Sequence, residues 1–448
     1  MTVSALSTAS NVALGDKVSS TRRVVDFQIL VGVICLLAFD AILKIVNPLK
    51  PNVPHSLLGM CVVVVVGVYL RYNRPEDYNW VIQGVRPGMT FITHRYLGLF
   101  YSPALVTLPL TLGSVLELND IIMSAFVIVL GCLLTALCTS YSIYYVRRWT
   151  SNSSQIPYSE ENDDVNFSNE FLLGWVSITM VSTLMTIWSL RIEGVHAALK
   201  HACIFVSQLS VTICGYILGV RLPKSMTQWV QPMIFCAAMP NLWSVFMSHP
   251  LLSQHSYEDF IIKYYLPPTG IGAGRFLFQF LGPIIISFGF GIVEKWHILL
   301  KHKLEIIVCC FISAGFTLVS TGFLAGVVFH IHERVSRSLL SRGMTLALAL
   351  ENTKSLGGVA EITAGAVAVT GLIGSNFIRL FLDTVGFSDV IVRGITASAV
   401  AHGLGAAVMG SSEPDALPYA GLGYLMCGVS GILFTWMFSD FLIHLVAA

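Results

Sequence analysis

Long apolar runs joined by short polar connections dominate the pattern of this chain. The hydrocarbon core of a bilayer is about 30 Å thick, so a helix needs about 20 apolar residues to cross it. Judged by that length, the pattern predicts a polar loop at 71–95, a helix too short to cross at 338–350, and spans at 27–46, 56–70, 97–116, 121–146, 169–190, 197–220, 226–247, 273–292, 304–329, 361–382 and 416–446.

The stretch 393–418, RGITASAVAHGLGAAVMGSSEPDALP, lies in an apolar region yet is built from small residues. Each of its glycines weakens a helix by about 1 kcal/mol relative to alanine. Small residues also let another backbone approach closely within a membrane. Unwound backbone at membrane depth is stable only inside protein or beside water, and such breaks mark binding sites in transporters. The sequence therefore predicts a broken, half-membrane element that lines a site.

Other apolar segments are also interrupted, near Pro232, at Gly282 and Pro283, and within 342–350. Two interruptions in each half would suit an inverted repeat whose broken helices meet at the membrane midplane. The similarity between the segments is too weak to assert such a repeat, which stays a hypothesis.

The composition indicates a membrane protein, because 55% of the residues are apolar, 11% are charged and the mean hydropathy is +0.74. We predict an all-α polytopic membrane protein with about 12 transmembrane or half-membrane helices. The net charge of +1 provides no basic surface, so nucleic acid is not expected as a partner. The cysteines show no CxxC spacing, and we interpret them as small hydrophobic residues.

The longest polar run, RRWTSNSSQIPYSEENDDVNFSN, follows the fourth predicted span. Such a run is typical of a solvated linker between modules. We predict a disordered N-terminal tail at 1–26, a four-helix membrane module at 27–150, a polar linker at 151–168, and a second membrane module at 169–448 that carries most of the broken elements.

The residues around the breaks suggest a site for a small anion. A broken helix presents free N–H groups and the positive end of its dipole, and both favour an anion. Nearby cations, hydroxyls and an amide suit a carboxylate that bears a hydroxyl group: Arg342, Thr345, Asn376, Arg393, Ser398 and His402. An unpaired arginine is costly in lipid, so one within a span needs a partner or a function.

These residues also have purely structural interpretations. Arg342, Arg379 and Arg393 would be ordinary side chains if they lay at helix ends near lipid headgroups. His402 is either a neutral imidazole bonded to a backbone carbonyl or a group that carries protons or contacts substrate. The sequence leaves both interpretations open.

Enzyme signatures are absent from the sequence, which has no HExxH, P-loop or GxSxG motif. The HIHE run from His330 to Glu333 is typical of a solvated helix end. We therefore predict no catalytic residue, no metal and no cofactor.

Several short motifs occur in the order found in one family of membrane proteins: FLGP at 280–283, RGMTLALAL at 342–350, VTGLIGSNF at 369–377, RGI at 393–395, AHGLG at 401–405 and EPDALP at 413–418. On these motifs the chain from about residue 221 onward resembles the LrgB family. The first module, with PHSLLGM at 54–60 and YSPA at 101–104, resembles the small holin-like LrgA partner more weakly. A fusion of the two is the arrangement in the family's plant branch of glycolate/glycerate translocators.

The resemblance implies a carrier of small monocarboxylates, namely glycolate, glycerate or pyruvate-like 2-hydroxy and 2-oxo acids, with proton coupling or exchange left open. The expected roles are carboxylate neutralisation for Arg342 and Arg393, hydroxyl bonding for Thr345, Asn376 and Ser398, proton coupling for His402, and lining of the site for Gly403 and Gly405.

Some bacterial members of the LrgB family are described as holin-like or antiholin-like regulators of lysis. A pore or regulator of membrane permeability is therefore the alternative, and a membrane enzyme is a weaker third candidate. The expected partners are a small carboxylate substrate and the lipid bilayer, with a homo-oligomer left open. The membrane is an organellar inner membrane, a plasma membrane or, in a photosynthetic source, the plastid envelope.

Overall fold

The computed structural model describes residues 26–45, 55–92, 96–115, 118–150, 167–192, 194–223, 226 and 232–447. The predicted N-terminal tail and polar linker fall almost entirely outside these residues. The division of the chain into a tail, two modules and a linker stays a prediction.

All regular secondary structure in the described ranges is helical. Eight helices there are long and apolar enough to cross a membrane, and four shorter apolar helices accompany them. The predicted all-α, polytopic membrane protein is confirmed.

The helices in chain order are α1 (Asp26–Ile45), α2 (His55–Asn73), α3 (Pro75–Thr90), α4 (Leu97–Val115), α5 (Leu118–Thr150), α6 (Asn169–Arg191), α7 (Ala197–Val220), α8 (Pro232–Met247), α9 (Ala273–Phe278), α10 (Leu281–Glu294), α11 (Trp296–Lys301), α12 (Cys309–Gly322), α13 (Glu333–Leu340), α14 (Leu346–Leu356), α15 (Ala360–Val385), α16 (Val390–Ser412) and α17 (Leu417–Ala447). Wider π-helical turns at Leu304–Val308 and Phe323–Val328 extend α12 at both ends, and a third lies at Phe260–Tyr265.

The described residues form two compact units, of which the first lies within 1–97 and 280–293. Its helices touch through small residues. A Cβ on Gly88 would lie 2.4 Å from the carbonyl carbon of Gly32, so the backbones of α1 and α3 are in contact.

Asp40 is a buried polar group of this first unit. Its carboxylate lies 2.6 Å from Lys44 Nζ and 3.3 Å from His55 Nε2. A Cβ on Gly282 would lie 2.2 Å from Asp40 Oδ1. The glycine of the FLGP motif therefore makes room for this carboxylate.

The predicted polar loop at 71–95 is wrong over most of its length, because Pro75–Thr90 forms helix α3. Proline in the first turn and the acidic side chains of Glu76 and Asp77 both favour a helix N-terminus. Ile82 and Met89, seven residues apart, lie on one face of the helix and are buried. A search for continuous apolar runs misses such an amphipathic helix.

The second unit lies within 98–279 and 294–448. In one part of it, α6, α7 and α8 pack around an apolar cluster of Ile204, Val211, Trp243, Met247 and Phe260. In the other part, α5, α12, α15, α16 and α17 pack against one another. Helix α5, which the sequence assigns to the first module, thus packs among the helices that carry the candidate site.

Residues 333–356 form what we call the first hairpin, in which α13 and α14 fold back around the turn Ser341–Gly343. Arg337 Nη1 donates to the Leu356 carbonyl at 3.3 Å, and Asn352 Nδ2 donates to Ser341 Oγ at 3.0 Å. The segment 338–350, expected to be too short to cross and to be interrupted, is thus parts of two short helices with a turn between them. Serine and glycine at the turn favour a break because they compete with or weaken helical backbone.

Candidate functional site

Helix α16 is broken at its middle and forms what we call the second hairpin. His402 has φ 42° and ψ −127°, a backbone conformation that residues with side chains rarely adopt. A Cβ on Gly405 would lie 2.0 Å from the Ala397 carbonyl oxygen, whereas eight residues of straight helix would separate them by about 12 Å. The two arms therefore fold back on each other, and the predicted broken element is confirmed.

An ionic latch of Arg393, Glu413 and Asp383 closes the base of the second hairpin. Arg393 Nε and Nη2 each donate to Glu413 at 2.5 Å, and Nη1 donates to Asp383 at 2.8 Å. Hydrogen bonds from Arg393, assisted by Arg379, hold the pKa of Glu413 below its ordinary value, although burial opposes this shift. In this conformation the protein's own carboxylates neutralise Arg393.

Arg342 lies in the turn of the first hairpin and is only 1% exposed. Its Nε donates to Thr321 Oγ1 at 3.0 Å, and its Nη1 contacts Cys132 Sγ at 3.8 Å. Its Nη2 is buried without a hydrogen-bond partner, and no carboxylate in the described ranges forms an ion pair with it. A buried cation without a counter-charge is energetically costly, and an anion would supply the missing charge.

Helix α5 makes room for this guanidinium at Gly131. A Cβ at that position would lie 2.1 Å from Arg342 Nη2. Any larger residue would occupy the space that the guanidinium fills.

A row of hydroxyls, which we call the hydroxyl ladder, continues from Arg342 between α5 and α12. Thr135 and Thr317 share a hydrogen bond at 3.1 Å, and Thr139 and Ser313 share one at 2.5 Å. Together with Thr321 these side chains are all buried. The ladder places donors and acceptors beside a cation, the combination that a hydroxylated carboxylate requires.

The first hairpin also presents a free helix end. Helix α14 begins after Thr345, and no side chain caps its N-terminus. Uncapped N–H groups and the helix dipole favour an anion. The Thr345 side chain is buried beside the Tyr424 hydroxyl.

The structure brings only some of the predicted residues to this place. Arg342 and Thr345 lie in the first hairpin, whereas Ser398 Oγ donates to the Ala420 carbonyl at 2.5 Å and joins α16 to α17. Asn376 is exposed and donates to Leu372 in its own helix at 2.8 Å.

His402 lies at the tip of the second hairpin, where its Nε2 is 3.0 Å from the Val367 carbonyl oxygen. A bond to a carbonyl oxygen requires a proton on Nε2, so this contact fits the interpretation of His402 as an imidazole bonded to a backbone carbonyl. Gly405 is buried against the opposite arm, whereas Gly403 is exposed, and a Cβ built on it would lie 3.8 Å from the ring of Tyr424.

A small cavity of about 10 Å³ lies where the two hairpins approach each other. It is lined by Ser313 and Thr317 of the ladder, Gly343 and Met344 of the first hairpin, and Ala399 of the second. Such a volume holds a single water molecule. The cavity therefore has no room for a molecule larger than water, and we call this conformation closed.

A larger cleft of about 480 Å³ opens at the base of the second hairpin. Its lining includes Arg393, Glu413 and Asp415. With Asp383 also bonded to Arg393, the three carboxylates of Asp383, Glu413 and Asp415 outnumber the cations here even when Arg379 is counted. The cleft is thus poorly suited to hold an anion while the latch is closed.

The ladder and Gly131 are functional candidates that the sequence interpretation missed. A signal for them exists, because small or hydroxyl residues recur every fourth position within two apolar spans, at 131, 135 and 139 and at 313, 317 and 321. That spacing places each set on one helical face. The sequence does not reveal that the two faces meet.

Among the described residues, no group of three or more His, Cys, Asp or Glu side chains is arranged to hold a metal ion. The cysteines in that part of the chain are free thiols.

Comparison of the sequence with known proteins identifies relatives of this chain. The plastidal glycolate/glycerate translocator 1, chloroplastic, of Arabidopsis thaliana is 32% identical over 429 residues, which cover 94% of this chain and 81% of that protein. An antiholin-like protein LrgB of Bacillus subtilis is 29% identical over 135 residues, or 30% of this chain and 58% of that protein. Neither name denotes an enzyme. No solved structure matches the chain.

The sequence model of the LrgB-like family matches residues 212–441, which contain both hairpins and the α12 side of the ladder. Because the family model matches residues 212–441, and because the Arabidopsis relative is 32% identical over 94% of this chain, the chain belongs to the LrgB-like family.

Proposed function

We propose that this protein is a membrane carrier for small monocarboxylates of the glycolate, glycerate or pyruvate type, and that it is not an enzyme. The observation that carries the proposal is Arg342, a buried guanidinium with an unbonded Nη2 and no carboxylate partner in the described chain. The relative named as a glycolate/glycerate translocator supports the substrate class.

In this proposal the substrate carboxylate pairs with Arg342 and with the uncapped N-terminus of α14. A charge-assisted hydrogen bond of this kind contributes about 1.5–3 kcal/mol. The 2-hydroxyl or 2-oxo group then bonds to the ladder at Thr317 or Ser313, which line the small cavity. The site selects a short, hydroxylated acid because the ladder begins beside the cation at Thr321, and apolar residues such as Leu318, Leu340 and Met344 line the rest of the small cavity.

Transport requires this closed site to open to each side of the membrane in turn. The two hairpins are the elements best suited to move, because each is a broken helix that can separate without unwinding a full span. The latch of Arg393 and Glu413 opposes separation of the arms of the second hairpin. The structural role proposed for Arg393 and Ser398 is therefore to hold the hairpin, while Arg342 contacts the substrate.

We also propose that 27–150 is an LrgA-like module and 169–448 the transport module. The family match at 212–441 lies within the second of these. Helix α5 of the proposed first module contributes Gly131, Thr135 and Thr139 to the proposed site. Fusion of the two modules in one chain would therefore keep both parts of this site together.

Counterflow in proteoliposomes tests the proposed function. Purified protein is reconstituted into vesicles loaded with unlabelled glycolate, and uptake of trace labelled glycolate is followed. A carrier concentrates the label transiently and saturates with external substrate. Glycerate and pyruvate should compete, whereas acetate, which lacks the 2-substituent, should compete less well.

A holin-like or antiholin-like pore is the competing function, as the name of the bacterial relative suggests. Vesicles loaded with a small fluorescent dye distinguish the two functions. A pore releases the dye and shows no countertransport, and that result would contradict the carrier. Dye retention together with saturable counterflow supports it.

A further inference from the structure

A second group of buried ionisable side chains lies in the same unit, at the far end of α5 from Arg342. We call it the His302 cluster: Arg147 near the end of α5, His302 and Glu305 just before α12, and Asp389 at the start of α16. Sixteen residues of helix separate Gly131 from Arg147, a distance of about 24 Å. The hydroxyl ladder lies between them along the length of α5.

The groups of this cluster are close but not fully bonded. Glu305 Oε1 lies 3.6 Å from His302 Nδ1 and 3.8 Å from Arg147 Nη1. His302 is 0% exposed and Glu305 is 2% exposed, yet neither ring nitrogen of His302 has a hydrogen-bond partner. Buried polar groups are normally bonded, and exceptions require an explanation.

The charge of the cluster favours uptake of one proton. With His302 neutral, the cation Arg147 faces two carboxylates, Glu305 and Asp389, so the net charge is −1. A proton on the His302 and Glu305 pair brings the charge of the cluster to zero. Burial lowers the pKa of His302, and Glu305 opposes the shift.

Other groups also face His302, and Arg147 and Lys301 add to the burial that disfavours a charge on its ring. Lys301 and Lys303 flank it on the same segment and are exposed to solvent. On the packed elements, Tyr419 of α17 presents its ring at a centroid distance of 5.5 Å, and the Cys309 thiol lies one turn beyond Glu305. Asp389 is 31% exposed and so links the cluster to water.

The cluster is also connected to the second hairpin. Arg147 Nη2 lies 2.7 Å from Asp389 Oδ2, and Asp389 Oδ1 caps α16 through the N–H groups of Ile391 and Val392 at 2.9 and 3.2 Å. Protonation that weakens the attraction of Glu305 for Arg147 therefore strengthens the hold of Arg147 on Asp389. A change in protonation would thus alter how tightly Arg147 holds Asp389, the residue that caps the first turn of the second hairpin.

We propose that His302 and Glu305 form the proton-coupling site of the carrier, which binds one proton per substrate in one conformation and releases it in the other. The proton enters as H⁺ from water at Asp389, forms an N–H or O–H bond in the pair, and leaves as H⁺, with no oxidation or reduction. This inference rests on the proposed transport function. It assigns proton coupling to this pair and not to His402, whose Nε2 is engaged with the Val367 carbonyl.

The experiment compares wild type, His302→Gln, Glu305→Gln and the matched control His297→Gln, in which an exposed histidine of the preceding helix is changed. Each protein is reconstituted in lightly buffered vesicles that contain a pH-sensitive dye. Two quantities are measured: glycolate counterflow without a pH gradient, and proton movement upon addition of glycolate. Melting in detergent verifies that each variant is folded.

We expect wild type and His297→Gln to move about one proton per glycolate, because the cluster lacks one unit of charge. In His302→Gln and Glu305→Gln, proton movement should fall to one tenth of the wild-type value or less, while the counterflow rate stays at half or more of the wild-type rate. Proton movement retained in both variants overturns the inference, as does equal loss of counterflow and coupling in folded protein. A wild-type protein without counterflow instead refutes the proposed function, whereas counterflow without proton movement refutes only the coupling site.

Discussion

The guanidinium of Arg342 occupies the space that a side chain at position 131 would fill, since a Cβ on Gly131 would lie 2.1 Å from Arg342 Nη2. The cation on the first hairpin and the glycine on α5 are therefore a matched pair, although 211 residues separate them in the chain.

Gly131→Ala should displace the guanidinium and weaken substrate binding. Overpacking of this kind costs about 1–3 kcal/mol, which corresponds to roughly a 5- to 100-fold rise in the KM for glycolate counterflow. Gly174→Ala is the matched control, because no atom lies within 4 Å of a Cβ at that position. An unchanged KM in folded Gly131→Ala protein would show that the site does not depend on the position of Arg342.

The two glycines of the AHGLG motif should respond differently to alanine. Gly405→Ala places a Cβ 2.0 Å from the Ala397 carbonyl oxygen, so we expect it to destabilise the second hairpin by about 1–3 kcal/mol. Gly403→Ala meets only the Tyr424 ring at 3.8 Å and should be nearly neutral. The melting temperatures of the purified proteins in detergent measure the difference. Equal effects would contradict the folded-back arrangement of the two arms.

The latch should lose its contribution to stability in acid. Arg393 lowers the pKa of Glu413 in the folded protein, so the stability that this carboxylate contributes is fully present above its unfolded pKa of about 4.3 and is lost as the pH falls through the lower folded value. Glu413→Gln should therefore melt below wild type at pH 7, and the gap should close as the pH falls below about 4. A gap that stays constant across this range would show that ionised Glu413 does not stabilise the hairpin.

The ladder should determine the preference for hydroxylated acids. Thr317→Val keeps the shape of the side chain and removes a hydroxyl that lines the small cavity. We expect the preference for glycolate over acetate in counterflow competition to fall about 5- to 10-fold, the value of one hydrogen bond of about 1 kcal/mol or slightly more. Thr384→Val is the control, because Thr384 is exposed and bonds only to Leu380 of its own helix. A similar loss in both variants would exclude a specific role for the ladder.

Much of the fold could be predicted from the sequence because bilayer thickness fixes the length of a span. The span that the sequence predicts at 197–220 matches helix α7, Ala197–Val220. The break at His402 could also be predicted, since closely spaced glycines make a continuous helix unfavourable. The helix α3 could not be found by the same criterion, because it is amphipathic and not continuously apolar.

The candidate site was less predictable, because its partners are distant in the chain. Arg393 and Arg342 look alike in the sequence, as arginines next to glycine at a break. The fold-back of α16 brings Glu413 to Arg393 and neutralises it, whereas the turn of the first hairpin buries Arg342 away from any carboxylate among the described residues. The difference arises from tertiary packing, which a single sequence does not contain.

The most direct test of the account is equilibrium binding of labelled glycolate to purified protein, with Arg342→Gln compared against Arg334→Gln. Arg334 is an exposed arginine of the same hairpin and serves as the matched control. Loss of a charge-assisted bond of about 1.5–3 kcal/mol predicts that Arg342→Gln binds roughly 10- to 100-fold more weakly than wild type, with Arg334→Gln unchanged. Folded Arg342→Gln protein that binds glycolate as tightly as wild type would contradict the proposal that this buried cation holds the substrate.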